Sequence, residues 1–354
     1  MQITFVAASL GDGGAERVVS ELASEMWRQG HAVSIIVVGS SQRSYTIEEG
    51  IPVIDCAKKY PIPGLGFAKR VAAIRQALKA CQTEVCISFN TTVNIYAALA
   101  CSGLKCKLIL SERNDPRFYP AGKGQRALRK LTYGRADGYV FQTPEAKSWF
   151  SEKIQRRGTI IFNPVNPALP AAFSGTRTKR VVTAVRLEPQ KNLKMAVDAF
   201  AKLCGEYPEY VFEIYGKGSL REELAAYIDE CGLTESVFLK GNSSTLYTDI
   251  LDAEMFVLSS DFEGMSNSML EAIAMGIPTI STDYPSGGAR AIIEDGVNGL
   301  LIPVGDTDSL YRAMKRLIEE PGLAEKISLN GVELQHRLAV EQISAQWLEF
   351  ISCV

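Results

Sequence analysis

A chain of 354 residues with 46% hydrophobic and 22% charged side chains has the size of two ordinary domains and a globular composition, which excludes a disordered or collagen-like protein. Its net charge of −2 conceals an asymmetry: residues 1–169 hold 22 Lys and Arg against 13 Asp and Glu (+9), while residues 170–354 hold 16 against 27 (−11). No run approaches the ~18 apolar residues of a membrane span and the chain passes from Met1 straight into a strand pattern, so a protein of the cytoplasm or of the inner face of the cell membrane is expected.

Ile3 to Ala8 reads as a short apolar strand, followed by SLGDGGAERVVSELASEMW. Val18, Leu22, Met26 and Val19, Ala23, Trp27 recur every four residues and predict a helix with one face on the core. Gly11, Gly13 and Gly14 open it, but Glu16 stands where a dinucleotide fingerprint needs its last small residue. The next strand, Ala32 to Val38, ends in Gly39-Ser40 without an acidic ribose ligand, so NAD binding is rejected. A glycine-rich loop at a helix N-terminus still suits a phosphate, with Gly13 and Gly14 allowing close approach to the backbone.

Further strands are predicted at Val53–Cys56, Val85–Phe89, Leu108–Leu110, Tyr139–Gln142 and Thr159–Phe162, alternating with helical patterns. Such a βα succession implies a mostly parallel sheet with right-handed crossovers. Polar residues just past a strand end line the binding edge of an open sheet, which singles out Asn90 after Val85–Phe89 and Glu112 with Arg113 after Leu108–Leu110. Much of the basic charge falls on two helix-like stretches, Phe67 to Lys79 (Lys69, Arg70, Arg75, Lys79) and Lys123 to Arg135 (Lys123, Arg126, Arg129, Lys130, Arg135). These are either solvated faces or contacts for an anionic membrane or a pyrophosphate-bearing acceptor. Nucleic acid is not expected, since no binding module or aromatic-basic interleaving is present. The eight cysteines lie mostly in apolar runs, without CxxC pairs or companion histidines, and read as reduced core residues with no metal site.

Phe162 to Arg180, with Pro164, Pro167 and Pro170, reads as an interdomain linker. A second βα series follows: RVVTAVRLEPQKN with Arg186, Lys191 and Asn192 at the strand exit, YVFEIYGKGS with Gly216 and Gly218, VFLKGN with Leu239 and Lys240, and then DFEGMSNSMLEAIAMGIPTIST. In the last of these, the run Met255 to Leu258 predicts a buried strand and the Ser/Asn cluster a helix starting near Ser266. Glu263 therefore sits where a strand hands over to a helix, and the backbone N–H groups of Gly264, Met265, Ser266 and Asn267 face an anion. Glu271, further along the helix, is placed to accept hydrogen bonds from a ribose diol. Two cations, a helix N-terminus and a carboxylate on one sheet edge make a receptor for a nucleoside diphosphate. Finally, Ile343, Trp347, Phe350 and Ile351 share a face at helical spacing, so Glu341 to Val354 should be a docked helix.

The motifs VRLEPQKN, IYGKGSL, FLKGN and FEGMSNSMLEAIAMG, with SLGDGGAER near the start, resemble the retaining glycosyltransferases of family 4, and the resemblance spans nearly the whole chain. It implies a GT-B fold: two Rossmann-like βαβ domains facing a central cleft, with a C-terminal helix returning to the N-terminal domain. The expected boundaries are 1–165 for an acceptor-binding domain, 166–180 for the linker, 181–337 for a nucleotide-sugar-binding domain and 338–354 for the returning helix. It further implies a nucleotide-sugar donor, UDP-linked, no metal or cofactor, and a lipid-diphosphate-linked or glycan acceptor carrying N-acetylhexosamines or hexoses. Mapped onto this chain, Arg186 and Lys191 hold the diphosphate, Glu263 lies near the donor sugar, Glu271 on the ribose, and Phe238 to Lys240 around the base. Gly14 approaches the diphosphate from the N-terminal domain, and Asn90, Glu112 and Arg113 fall on the acceptor side. Two departures stand out: Arg113 occupies a position where many relatives carry histidine, and Ala291, after Arg290, replaces a usual glutamate. A nucleotide-sugar epimerase of the same fold and a non-catalytic nucleotide-sugar-binding protein remain alternatives.

Overall fold

The computed structural model describes residues 1–11, 13–39, 44–56 and 66–354. Asp12 of the first glycine-rich loop and Ser40 after the second strand lie outside the described residues. The chain divides into two units, Met1–Pro164 with Ala339–Val354 and Val165–Leu338.

The first unit is built on a 7-stranded parallel sheet of order β3-β2-β1-β4-β5-β6-β7. Its strands are β1 (Gln2–Ala7), β2 (Ala32–Val37), β3 (Val53–Asp55), β4 (Val85–Phe89), β5 (Lys107–Ser111), β6 (Gly138–Phe141) and β7 (Gly158–Ile160). The central strands are buried along nearly their whole length, as expected of a parallel sheet covered on both faces. On one face Val6, Ile36, Cys86, Leu108, Leu110, Tyr139 and Phe141 pack under the helices Phe67–Ala80 and Thr91–Ala100. On the other, Phe89 stacks on Trp347 of the last helix, Val340–Cys353, with ring centres 5.7 Å apart. That helix lies against Gly14–Arg28, and its Ile343, Trp347 and Ile351 are fully buried, so it is part of this unit's core although the second unit precedes it in the chain.

The second unit carries a 6-stranded parallel sheet of order β10-β9-β8-β11-β12-β13. These strands are β8 (Thr178–Ala184), β9 (Val211–Tyr215), β10 (Val237–Gly241), β11 (Ala253–Leu258), β12 (Thr279–Thr282) and β13 (Leu300–Ile302). Helices Leu193–Glu206 and Thr307–Glu319 pack together, as do Asn267–Ala274 and Pro321–Arg337. The latter pair meets backbone to side-chain-free backbone: a Cβ on Gly331 would lie 2.7 Å from the Ile273 carbonyl oxygen.

The stretch expected as a linker behaves differently. Residues 165–177 belong to the second unit, and β8 already begins at Thr178. The Val165 amide donates to the Leu338 carbonyl at 2.9 Å, and Arg177 donates to the carbonyls of Ala253 (3.0 Å) and Gly276 (2.6 Å). The prolines prevent a regular ladder here without preventing docking, because an arginine fork and isolated amides suffice to tie irregular chain to a surface.

Candidate functional site

In the second sheet the strand order reverses between β8 and β11, and an open α/β sheet binds ligands beyond the strand ends at such a point. The loops leaving these two strands are the ones that carry VRLEPQKN and SDFEGMSN. Hydrogen bonds tie them together across about 70 residues of sequence, among them one from Ser259 Oγ to the Lys191 carbonyl at 2.8 Å. Lys191 Nζ donates to Glu263 Oε1, Gln190 Nε2 donates to Glu263 Oε2 at 3.4 Å, Asn192 Nδ2 donates to Asp261 Oδ1 at 2.7 Å, and the Asp261 amide donates to the Gln190 carbonyl at 2.9 Å. Ser260 Oγ adds a bond to Glu263 Oε1 at 2.9 Å. Asn192 adopts a left-handed conformation (φ 44°, ψ 49°), which asparagine tolerates, and so turns the chain from the short 3₁₀ segment Pro189–Lys191 into the helix Leu193–Glu206. Lys191 and Glu263 are largely buried, whereas Arg186, just past β8, is exposed and has no ion-pair partner among the described residues.

Glycines bring the neighbouring strand exit onto this loop. Gly216 has φ 130°, and a Cβ there would lie 1.9 Å from the Val185 carbonyl oxygen; at Gly218 a Cβ would lie 2.3 Å from the Leu187 carbonyl oxygen. The β9 exit thus lies directly against the backbone on either side of Arg186. Gly264, Met265 and Ser266 form the turn into the helix Asn267–Ala274, whose N-cap is Ser266, its hydroxyl accepting from the Met269 amide. The Gly264 carbonyl accepts from Ser286 Oγ at 3.1 Å, and a Cβ on Gly288 would sit 2.2 Å from it, so the PSGGAR loop is packed onto the turn. Glu271 lies on this helix, 7% exposed, and Asn267 is half-buried at its start. Leu239 and Lys240 are two strands from the reversal, on β10. The Leu239 carbonyl accepts from Arg221, and Lys240 Nζ pairs with Glu213 at 3.1 Å. Arg290 pairs with Asp283, and Ala291 follows it without a charge to offer.

Tyr284 and Ser260 were not singled out in the sequence, although both flank the quoted stretch Asp261 to Thr282. Tyr284 is fully buried; burial pushes its phenol well above the ordinary value, and the nearby Glu263 charge acts in the same direction. Such a group stays protonated and walls the site near Glu263. Only the tertiary proximity identifies it, since a tyrosine after Thr-Asp is unremarkable by itself.

The candidates in the first unit separate. Its strand order reverses between β1 and β4, and Asn90 stands at the end of β4 with φ 75° and ψ 140°, a conformation that costs a non-glycine residue on the order of 1–3 kcal/mol. Gly14 is the first residue of the helix Gly14–Arg28, and the Glu16 side chain folds back over Gly13. Glu112 and Arg113, adjacent in sequence, project to opposite faces of the sheet. Glu112 is 2% exposed and takes hydrogen bonds from Thr91 Oγ1 (2.9 Å), Asn94 Nδ2 (3.3 Å) and the Tyr133 hydroxyl. Burial raises its pKa even against these donors. Its placement on the acceptor side is therefore corrected: with both oxygens engaged inside the core, Glu112 anchors the helix Thr91–Ala100 instead of facing a ligand. Arg113 lies on the other face, beside Phe89 and Trp347.

The expected surface cations are also redistributed. Arg129 is 3% exposed and donates to the carbonyls of Tyr119 (2.8 Å) and Pro116 (3.2 Å), with its guanidinium carbon 4.4 Å from the centre of the Trp149 ring. Arg75 caps the carbonyls of Ala100 and Ser102. Both are structural, and Arg126, though exposed, donates to the carbonyls of Pro120 (2.7 Å) and Arg117 (3.2 Å), whereas Lys123, Lys130 and Arg135 are exposed, as are Phe118, Tyr119, Leu131 and Trp149.

Comparison with known proteins agrees with this layout. A Glycosyltransferase Family 4 profile matches residues 12–169, and a profile for glycosyl transferases group 1 matches residues 171–333. A Campylobacter jejuni protein named GalNAc-alpha-(1->4)-GalNAc-alpha-(1->3)-diNAcBac-PP-undecaprenol alpha-1,4-N-acetyl-D-galactosaminyltransferase is 28% identical over 360 residues, covering 99% of this chain and 98% of its own. The lipopolysaccharide 1,6-galactosyltransferase of Salmonella typhimurium is 25% identical, with 90% of each chain covered. Among solved structures, Anabaena HepE in complex with UDP and glucose superposes with a TM-score of 0.86 at 20% identity over 100% of both chains. The apo form of the lipopolysaccharide outer core galactosyltransferase WaaB superposes at 0.75 and 22% identity, covering 100% of this chain and 99% of that one. With two Rossmann-like parallel-sheet units in the GT-B manner and both sequence families in order along its length, the chain belongs to the glycosyltransferases, a Family 4 domain followed by a group 1 domain.

Proposed function

We propose that the protein transfers an N-acetylhexosamine or hexose from a UDP-linked donor to a lipid-diphosphate-linked or polysaccharide acceptor, with retention at the anomeric carbon and without a metal ion or cofactor. The observation that carries this reading is the Lys191–Glu263 pair at the strand-order reversal, beside a capped helix N-terminus and with Arg186 open to solvent. Negative charge develops on the departing diphosphate during sugar transfer, and preorganised cations and backbone N–H groups aimed there lower the barrier. Arg186, Lys191 and the amides from Gly264 to Asn267 supply that charge, so the chemistry does not call for a metal. Glu263 fixes the position of Lys191 and lies where the donor sugar is held, while Glu271 accepts the ribose hydroxyls. The acceptor class is supported by the printed activity of the Campylobacter relative, and UDP by the ligands of structurally similar chains.

The acceptor places the protein at the cytoplasmic face of a membrane as a peripheral protein; no helix among the described residues is long and apolar enough to cross one. Incubation with a panel of nucleotide sugars, with and without a bacterial lipid extract, followed by measurement of free UDP and GDP, tests the proposal. UDP released only when acceptor lipid is present is the expected result. Donor isomerised without acceptor would reassign the protein as an epimerase, and donor bound with no nucleotide released would make it a binding protein.

A further inference from the structure

Arg113 is 7% exposed, with its guanidinium carbon 4.4 Å from the centre of the Phe89 ring and 5.6 Å from that of Trp347. Its Nη1 donates to Asn163 Oδ1 at 2.6 Å, an oxygen that also accepts from Gln142 Nε2 at 2.9 Å. Its Nε and Nη2 are buried and have no acceptor among the described residues. Among the described residues no carboxylate compensates the charge: Glu112 projects to the opposite face of the sheet, and Asp115 is paired with Arg117. Burial pushes the guanidinium pKa down to about 9, with no charged neighbour acting on it, so the group still carries its charge at neutral pH.

A buried cation without a counter-charge is strongly disfavoured, and contact with aromatic faces offsets only part of that. The unsatisfied edge, Nε with Nη2, is one that presents two parallel N–H groups to a carboxylate or phosphoryl group. The indole Nε1 of Trp347, on the adjoining ring, is likewise buried without an acceptor. We propose that Arg113 is a receptor for an oxyanion, a phosphoryl or carboxylate group taken bidentately by Nε and Nη2, with the Trp347 N–H as a further donor and Asn163 as the residue that holds the fork in place. The receptor stands on the unpaired edge itself; its role in recognising a substrate rests on the transferase reading.

The full chain carrying Trp27→Phe and Trp149→Phe retains Trp347 as its only indole, because the protein has three tryptophans. Its emission is followed during titration with inorganic pyrophosphate, inorganic phosphate or glucuronate, against sodium chloride at matched ionic strength. A saturable change with at least one of these anions is expected, retained in Arg186→Ala and shifted to at least about tenfold higher concentration in Arg113→Met, since two charge-assisted bonds are lost. Arg113→Lys, which keeps the charge but not the fork, should be weakened in the same direction if the methionine variant folds poorly. Response to the phosphates identifies a phosphoryl ligand, and response to glucuronate a carboxylate. No saturable response to any of them, or a response in Arg113→Met and Arg113→Lys identical to that of the protein with Arg113 intact, overturns the proposal. A response in a protein that releases no nucleotide from any donor would sink the transferase reading and leave the receptor standing.

Discussion

Three residues make separable demands on the chemistry. Glu271→Ala should remove hydrogen bonds from ribose hydroxyls to a charged acceptor, worth roughly 1.5–3 kcal/mol each. Calorimetry should then show donor affinity weakened about tenfold or more, and an unchanged donor constant would detach Glu271 from the nucleotide. Arg186→Ala and Lys191→Ala should each lower turnover by about 10²-fold, with a double mutant milder than the product because both act on the same leaving group. Their stabilities should differ. Arg186 is exposed and unpaired, so its removal should leave the melting temperature unchanged, whereas Lys191→Ala strands Glu263 in a site where only 11% of its side chain is exposed, at a cost of about 3–5 kcal/mol. Equal melting temperatures for the two variants would show that the ion pair does not hold the loops. Glu112 makes a prediction about pH. Its folded pKa is raised above the ordinary 4.5, chiefly by burial, so the native state keeps a proton that the unfolded chain has released. Its contribution to stability is full below about 4.5 and declines as pH rises through the raised value. Urea denaturation of wild type and Glu112→Gln at several pH values should show this decline in the wild type alone; parallel curves would mean that the carboxyl titrates normally.

At the scale of elements, the last helix has an effect out of proportion to its length. Ile343, Trp347 and Ile351 are fully buried against the first unit, and Phe350 carbons would lie 2.9 Å from a Cβ on Gly138. Ending the chain before Ala339 should expose that face of the sheet and lower the melting temperature by many degrees. Trp347→Ala alone should cost about 3–5 kcal/mol. A truncated protein that melts unchanged would show the helix to be an appendage. The helix Asn267–Ala274 is short, and its position depends less on propensity than on its Ser266 cap and on Gly331, which admits the helix Pro321–Arg337 to backbone contact.

For the molecule as a whole, the first unit, Met1–Pro164 with Ala339–Val354, holds 22 Lys and Arg against 15 Asp and Glu (+7) and the second 16 against 25 (−9), so attraction to an anionic leaflet would fall to the first unit. The surface that would do this is smaller than the sequence suggests, because Arg129, Arg126 and Arg75 bind backbone carbonyls. Lys123, Lys130 and Arg135 remain, beside exposed Phe118, Leu131 and Trp149, a combination of cations and large apolar groups suited to a lipid interface. Each cation near the surface contributes about 1 kcal/mol, fading as salt shortens the Debye length. Flotation with anionic vesicles at low salt should therefore be lost in Lys123→Glu/Lys130→Glu/Arg135→Glu, while donor binding is retained. Equal partitioning to neutral and anionic vesicles would leave these residues as an ordinary solvated face.

Element order, the start of the helix at Ser266 and the burial of the last helix were all legible in the sequence, because each depends on short-range chemistry: a cap, a glycine, a repeat of period two or four. So was the sheet edge on which the loops carrying VRLEPQKN and FEGMSN lie, since strands followed by motif-bearing turns imply a parallel sheet with its exits on one side. What only the tertiary structure decided are the partners. Lys191 and Glu263 lie 72 residues apart, and they meet because β8 and β11 are neighbours at the reversal of strand order. Glu112 and Arg113 looked like one polar signature, yet they face opposite sides of the sheet: Glu112 enters a buried hydrogen-bond network, and Arg113 holds its unsatisfied edge beside Trp347, from the far end of the chain. Side-chain periodicity separates their faces but does not say what covers each face; that depends on which distant segment returns to pack there, and long-range packing leaves no local mark on the residues it buries.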